Sequence, residues 1–133
     1  MAAPSFGTLD PNRMNFTAHF LFTESDPTLA KAGLADDQFE TQEYVLFQRS
    51  LKPSEQDLRL GHDQPHVEVS DQSASAYGSI SAVQLSGQQL KVELDPPLEG
   101  VGSSVIVTLG TEDGLPELID TLTLIFGPRF SRV

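Results

Sequence analysis

Four residues near the middle of the chain are of types that bind metal ions in proteins. They are His62, Asp63, His66 and Asp71. Imidazole and carboxylate groups are common zinc ligands, and two histidines four residues apart share one face of a helix. Gly61 and Pro65 interrupt any helix here, so the two rings are not held on one face. We therefore expect a solvated loop or the start of a strand, without a metal ion or other cofactor.

The sequence also lacks the common patterns of catalytic sites. No Gly-x-Ser-x-Gly segment surrounds a serine, and the absence of cysteine excludes a thiolate nucleophile, a disulfide and a thiolate zinc site. Gly100 and Gly102 lead into a predicted strand, whereas a phosphate-binding glycine loop leads into a helix. Carboxylates are so numerous that no pair stands out as an acid–base pair. We expect no enzymatic activity.

Net charge is the most informative bulk property. Nineteen Asp and Glu residues against eight Lys and Arg residues give a net charge of −11, and residues 92–128 contain no Lys or Arg at all. Nucleic acids and anionic membranes would be repelled by this charge. A basic protein partner would be attracted. Solubility alone is the other interpretation of so acidic a composition.

The organisation of the chain is predicted to be simple. A length of 133 residues fits one domain, and the first residues lack the basic and apolar regions of an export signal. The longest apolar runs are far too short to span a bilayer. We expect a cytoplasmic protein with a flexible N-terminal arm (residues 1–13), a single domain (residues 14–128) and a C-terminal tail (residues 129–133).

Period-two alternation indicates strands in the first half of the domain. Apolar residues alternate with other residues through residues 14–23, which predicts one strand. Residues 28–35 fit a strand or a helical turn, and we favour the strand. Residues 41–49 fit a buried strand. Residues 50–65 have no clear period and are predicted to be a loop, with one possible helical turn after Ser54.

The second half predicts further strands and one helix. Strands are expected at residues 66–69, 80–85, 88–94 and 104–109, with Asp95-Pro96-Pro97 ending the third of these. Apolar residues at helical spacing from Leu115 to Phe126 predict a helix, with Asp113 as N-cap and Gly127-Pro128 as the stop. The fold class is therefore α+β: a mainly antiparallel sheet of about six to seven short strands with a C-terminal helix packed on it.

A polar segment, residues 71–78, is predicted to be a loop between two strands. Asp71 or Ser73 can bind backbone amides to form a turn, Gly78 can adopt a positive φ, and Tyr77 can pack under the loop. The alternative is a patch that contacts a partner, because tyrosine is enriched at interface hot spots.

Several of these segments together resemble the immunity protein 10 family of bacterial polymorphic toxin systems. The similarity runs from about Thr41 to Leu94 and includes the end of the terminal helix. The order and spacing of the segments carry it, and Ser79 departs from the pattern, where a second glycine is expected. The segments are Tyr44-Val45-Leu46-Phe47-Gln48-Arg49, Glu55-Gln56-Asp57, Leu60-Gly61, Val67-Glu68-Val69, Asp71-Gln72, Tyr77-Gly78 and Ile125-Phe126-Gly127.

The resemblance implies an α+β protein that binds and neutralises a toxin domain made by the same cell or its kin. Combined with the charge, it suggests that acidic side chains and the Glu55–Gln72 region cover a basic toxin surface, such as the active cleft of a nuclease. The residues expected to contact the partner are Glu55, Asp57, Asp63, Glu68, Asp71, Gln72 and Tyr77, with Gly61 and Gly78 shaping turns. Two other functions stay open: a structural or oligomerising domain, and a small-molecule-binding β-barrel.

Overall fold

A computed structural model describes residues 13–133, and for Arg13 it describes the backbone alone. Within these residues the chain forms ten strands, two α-helices and a 3₁₀ turn at Gly127–Arg129. The helices are α1 (Glu55–Leu60) and α2 (Leu115–Phe126). The strands are β1 (Arg13–Ala18), β2 (Phe20–Ser25), β3 (Leu29–Ala35), β4 (Tyr44–Ser50), β5 (His66–Val69), β6 (Asp71–Tyr77), β7 (Ile80–Ser86), β8 (Gln89–Leu98), β9 (Gly102–Leu109) and β10 (Phe130–Arg132). The α+β class is confirmed, but there are more strands than predicted.

The strands form two five-stranded sheets rather than one. The first sheet has the order β1-β9-β8-β7-β10, and the second has the order β2-β3-β4-β5-β6. The second sheet is an antiparallel meander. The first contains two parallel pairs, β1 with β9 and β10 with β7. Buried apolar side chains from both sheets and from α2 form a single core cluster.

The strand predicted over residues 14–23 is wrong in one respect, because it is two strands that belong to different sheets. The chain bends at His19, whose backbone N–H donates to the carbonyl of Ala35 at 2.9 Å. Gly110 lies against this bend, and a Cβ atom added to it would approach the His19 ring to 2.7 Å. In β1, Phe16 and Ala18 face the core. In β2, Leu21 packs against the core and Phe22 is exposed, so the alternation shifts by one residue at the bend.

Helix α2 covers the core side of the second sheet, as its apolar spacing predicted. Its buried side chains include Ile125 and Phe126, and the Phe126 ring meets the Phe47 ring of β4 edge-on at 5.2 Å. The Arg49 guanidinium donates to the Ile125 carbonyl at 2.8 Å and so pairs a cation with the negative end of the helix. The predicted N-cap is wrong by one residue, because Gly114 holds that position with a φ of 85°.

Three other segments differ from the sequence-based prediction. The predicted loop at residues 50–65 contains α1, which begins after Ser54 as the possible helical turn did. The predicted loop at residues 71–78 is mostly strand β6, paired with β5. Asp95-Pro96-Pro97 does not end β8, which continues to Leu98 after a break in register that follows Glu93.

Both ends of the described chain belong to the first sheet. Helix α2 ends before Gly127, as predicted, and β10 follows within the residues assigned to a tail. The predicted N-terminal arm lies outside the described residues, apart from Arg13 at the start of β1. The longer helix has twelve residues, and between residues 13 and 133 neither helix is long and apolar enough to cross a membrane.

Candidate protein-binding surface

The second sheet has one buried face and one face that α2 and the first sheet leave uncovered. Side chains at alternate positions of β3 and β4 are fully buried and point to the core. They include Ala30, Ala32, Leu34, Val45 and Phe47. The positions between them point the other way, because side chains alternate along a strand. We call this other side the outer face of the second sheet.

The central row of the outer face runs from apolar to polar residues. In register across the five strands lie Phe22, Gly33, Leu46, Glu68 and Ser75. Phe22 is 37% exposed, which is high for a phenylalanine side chain on a sheet. Along this row the β2–β4 side of the outer face is therefore apolar, and the β5–β6 side is polar.

A shallow groove of about 210 Å³ occupies the apolar side. Gly33 contributes no side chain to it, and a Cβ atom added there would lie 3.4 Å from Leu46 Cδ1 and 3.8 Å from Phe22 Cδ1. The outer-face residues that line the groove are Phe20, Phe22, Gly33, Ala35, Tyr44 and Leu46, joined by Gln38 and Thr41. We call this feature the Gly33 groove.

The connection between β3 and β4 borders the Gly33 groove and is held in a defined shape. The Asp37 carboxylate accepts the backbone N–H groups of Phe39 at 3.0 Å and Glu40 at 2.8 Å. These bonds, that from Glu40 first, lower the pKa of Asp37. Thr41 Oγ1 donates to the Asp37 carbonyl at 2.6 Å. The loop is therefore ordered by its own side chains.

Phe39 stands at the exposed side of this acidic loop. Its side chain is 86% exposed, more than that of any other large apolar residue in the described part of the chain. The same loop carries Asp36, Asp37, Glu40 and Glu43, with no Lys or Arg. Phe39 is not among the contact residues predicted from the sequence, although a phenylalanine near acids and outside every predicted strand could have indicated an exposed apolar side chain.

The predicted contact residues before β5 lie on or next to α1. Ser54 and Asp57 form a capping box, in which the Asp57 carboxylate accepts the Ser54 N–H at 2.9 Å. This bond is the main reason that the pKa of Asp57 is lowered. Gly61 ends the helix with a φ of 74°. Glu55 is exposed, and the half-buried Asp63 accepts the Gln64 side chain at 3.4 Å.

Tyr77 joins this helix to the edge of the second sheet. Its ring stacks on His62 with centroids 4.3 Å apart and meets His66 at 4.6 Å. Gly78 follows with a φ of 72° and donates its N–H to the Pro65 carbonyl at 3.0 Å. The two imidazoles thus contact a tyrosine ring, and in the described residues no three His, Cys, Asp or Glu side chains are grouped to hold a metal ion.

Glu68 lies near the centre of the outer face and accepts a hydrogen bond from the hydroxyl of Tyr44. Burial, and then this bond, raise the pKa of Tyr44 to about 12. Ser70, the residue after β5, has a φ of 59°. Its hydroxyl donates to the carboxylate of Glu43, in the β3–β4 loop, at 2.9 Å. Tyr44 and Glu43 therefore connect the acidic loop with β5.

Asp71 and Gln72 lie at the opposite end of β6 from Tyr77. The Asp71 carboxylate accepts the Ser73 N–H at 2.8 Å, a bond that lowers the pKa of Asp71. The Gln72 carbonyl accepts the Ser75 hydroxyl at 2.9 Å. The seven residues singled out in the sequence therefore do not form one cluster: Tyr77 is close to the turn after α1, whereas Asp71 begins β6 at its far end, where its charge acts on Tyr44.

The comparisons with known proteins agree with the resemblance noted in the sequence. Among proteins with curated descriptions, none matches the chain. The family model described as immunity protein 10 matches residues 16–104, from β1 into β9. Because this match covers well over half of the chain, the chain belongs to the immunity protein 10 family.

Proposed function

We propose that this immunity protein binds and neutralises a cognate bacterial toxin domain without any catalytic activity of its own. In this proposal its acidic side chains cover a basic surface of the toxin, such as a substrate-binding cleft. Family membership supports the general role, and the identity of the partner surface is argued from charge.

The observation that carries the electrostatic part is the excess of carboxylates outside ion pairs. The chain has a net charge of −11. Among the residues that the structure describes, the one ion pair is Lys91 with Glu93, at 3.0 Å on an exposed surface. Carboxylates without a cationic neighbour are available to a basic partner, and such charge raises the rate of association.

The outer face of the second sheet offers the geometry that such a partner would need. It combines the Gly33 groove with exposed Phe39 and the acids of the β3–β4 loop. Interfaces of stable complexes have an apolar centre and a polar rim, and aromatic residues supply much of their binding energy. This combination favours a protein partner over a small anion or a nucleic acid.

The two other functions considered from the sequence have weaker support. A small-molecule-binding barrel encloses its cavity within one closed sheet, whereas the described strands form two separate five-stranded sheets that share one core cluster with α2. An oligomerising domain would use an apolar face such as the Gly33 groove. Measurement of the mass of the free chain in solution by light scattering distinguishes this function from toxin binding.

The test is co-expression with a candidate toxin domain, such as the C-terminal domain of a large secreted protein if one is encoded next to this chain. We expect the chain to restore growth of cells that make the toxin domain and to co-purify with it. Their affinity should fall steeply as salt rises, because exposed charges are screened. Absence of both rescue and co-purification overturns the immunity function, whereas rescue with salt-independent affinity overturns only the electrostatic mechanism.

A further inference from the structure

We propose that the toxin inserts a bulky apolar side chain, flanked by lysine or arginine, into the Gly33 groove. This inference rests on the proposed function and specifies where and how the partner is recognised. It differs from the expectation drawn from the sequence, which centred on residues 55–72 and left out Phe22, Gly33, Phe39 and Glu40.

The shape of the groove suits one such side chain. A cavity of about 150 Å³ accommodates benzene, and the Gly33 groove measures about 210 Å³. Phe22 and Leu46 stand on either side of Gly33, which has no side chain to fill the space between them. A branched or aromatic side chain would bury the exposed parts of these walls, and the burial of apolar area is the main driving force of association.

The charges around the groove specify what should flank that apolar side chain. The bordering loop carries Asp36, Asp37, Glu40 and Glu43 and no cation. The cation on the outer face is Lys31, which lies in the next row from Gly33, opposite Glu24 and Gln48. A partner segment with a basic residue beside its apolar one is therefore complementary, whereas an acidic segment would be repelled.

The experiment measures the affinity of the purified toxin domain for full-length variants of this chain. Phe22→Ala removes one wall of the groove, and Gly33→Val raises its floor with a side chain that suits a strand. We expect each to weaken binding at least tenfold. Glu40→Lys should weaken binding by a similar factor and reduce its salt dependence.

Matched controls lie away from the groove. Leu124→Ala truncates an exposed apolar side chain on α2, and Glu99→Lys reverses an exposed charge in the turn after β8. We expect both to leave the affinity within twofold of the wild-type value. Circular dichroism establishes that each variant is folded, and if Phe22→Ala is not, Gly33→Val provides the same test.

The outcomes separate this inference from the proposed function. If the toxin binds the wild-type chain and binds Phe22→Ala and Gly33→Val within threefold of it, the groove inference is wrong and the proposed function stands. If the wild-type chain does not bind the toxin, both fail. If the free chain self-associates and Gly33→Val abolishes this without changing toxin binding, the groove binds a second copy of the chain. That result also overturns the inference.

Discussion

The ring of Tyr77 lies nearly flat against the imidazole of His62, with centroids 4.3 Å apart and an angle of 18° between the planes. This contact joins the turn after α1 to the end of β6. Helix α1 itself has no buried residue, so its position depends on contacts made by the turn. The stack is therefore one of the contacts that attach the turn after α1 to the second sheet.

The first prediction concerns the energy of this stack. Replacement of either ring by alanine should destabilise the fold, and the double variant His62→Ala/Tyr77→Ala should lose less than the sum of the single losses. The coupling free energy should be about 0.5–1.5 kcal/mol, the usual value for ring pairs. Urea unfolding of the four proteins measures it. Leu60→Ala, at an exposed position of α1, is the control and should change the free energy of unfolding less than either ring substitution. Additive effects of the two ring substitutions would contradict the prediction.

The second prediction separates the binding and folding roles of Phe39. Because its side chain is 86% exposed, Phe39→Ala should change the free energy of unfolding by no more than about 0.5 kcal/mol. If the proposed toxin contact includes the β3–β4 loop, the same substitution should weaken binding by about 2 kcal/mol, or roughly thirtyfold. Calorimetric titration with the toxin domain measures the second effect. Binding of Phe39→Ala at wild-type affinity would place the loop outside the interface.

Local patterns in the sequence were enough to predict most individual elements of this fold. Helix α2 is confirmed at its predicted bounds, because its apolar spacing directly reflects which face is buried. Strand β3 is confirmed close to its predicted bounds, although its sequence also fitted a helical turn. The division of the first predicted strand at His19 could not be seen, because Phe20 and Phe22 continue the apolar alternation of β1 although they lie on the outer face of the second sheet. Strand β6 was missed because Asp, Gln and Ser favour turns, and pairing with β5 overrides that preference.

The candidate surface was harder to predict from the sequence than the fold. Its acidic character follows from composition alone. The Gly33 groove depends instead on register, which brings Phe22, Gly33 and Leu46 side by side from three different strands. Register in a sheet is set by turns and by core packing along the whole chain. No local pattern around any one of the three residues reveals the groove.

The third prediction concerns the ionisation of Tyr44. Burial and the bond to Glu68 raise its pKa to about 12, so its hydroxyl should stay protonated well above the ordinary value of 10.0. In the Tyr77→Phe variant Tyr44 is the single tyrosine, and ultraviolet absorbance against pH follows it directly. Glu68→Gln in this background removes the carboxylate charge and should lower the pKa. Far-ultraviolet circular dichroism, recorded in parallel, identifies the pH at which the protein unfolds, and ionisation near 10 in a still folded chain would contradict the assignment.

The fourth prediction is a loss of stability in mild acid that depends on His66. Burial is the main cause that lowers the pKa of His66 in the folded chain, and the nearby His62 adds to the effect, while the charge of Glu68 opposes it. The unfolded chain has the ordinary value of 6.5 and therefore takes up this proton more readily than the folded chain. The stabilising contribution is complete above pH 6.5 and is lost as the pH falls through the lowered value.

Urea unfolding between about pH 5 and about pH 8 measures this contribution and stays above the range in which most carboxylates titrate. The free energy of unfolding of the wild-type chain should fall towards the acid end, and His66→Gln should reduce the fall because the substituted side chain carries no titrating proton. Leu124→Ala, which truncates an exposed side chain on α2 and changes no titrating group, should leave the pH dependence as it is in the wild-type chain. Parallel curves of the free energy of unfolding against pH for the wild-type chain and His66→Gln would contradict the prediction. They would show that the imidazole of His66 is as well solvated in the folded state as in the unfolded one, although Tyr77 packs against it.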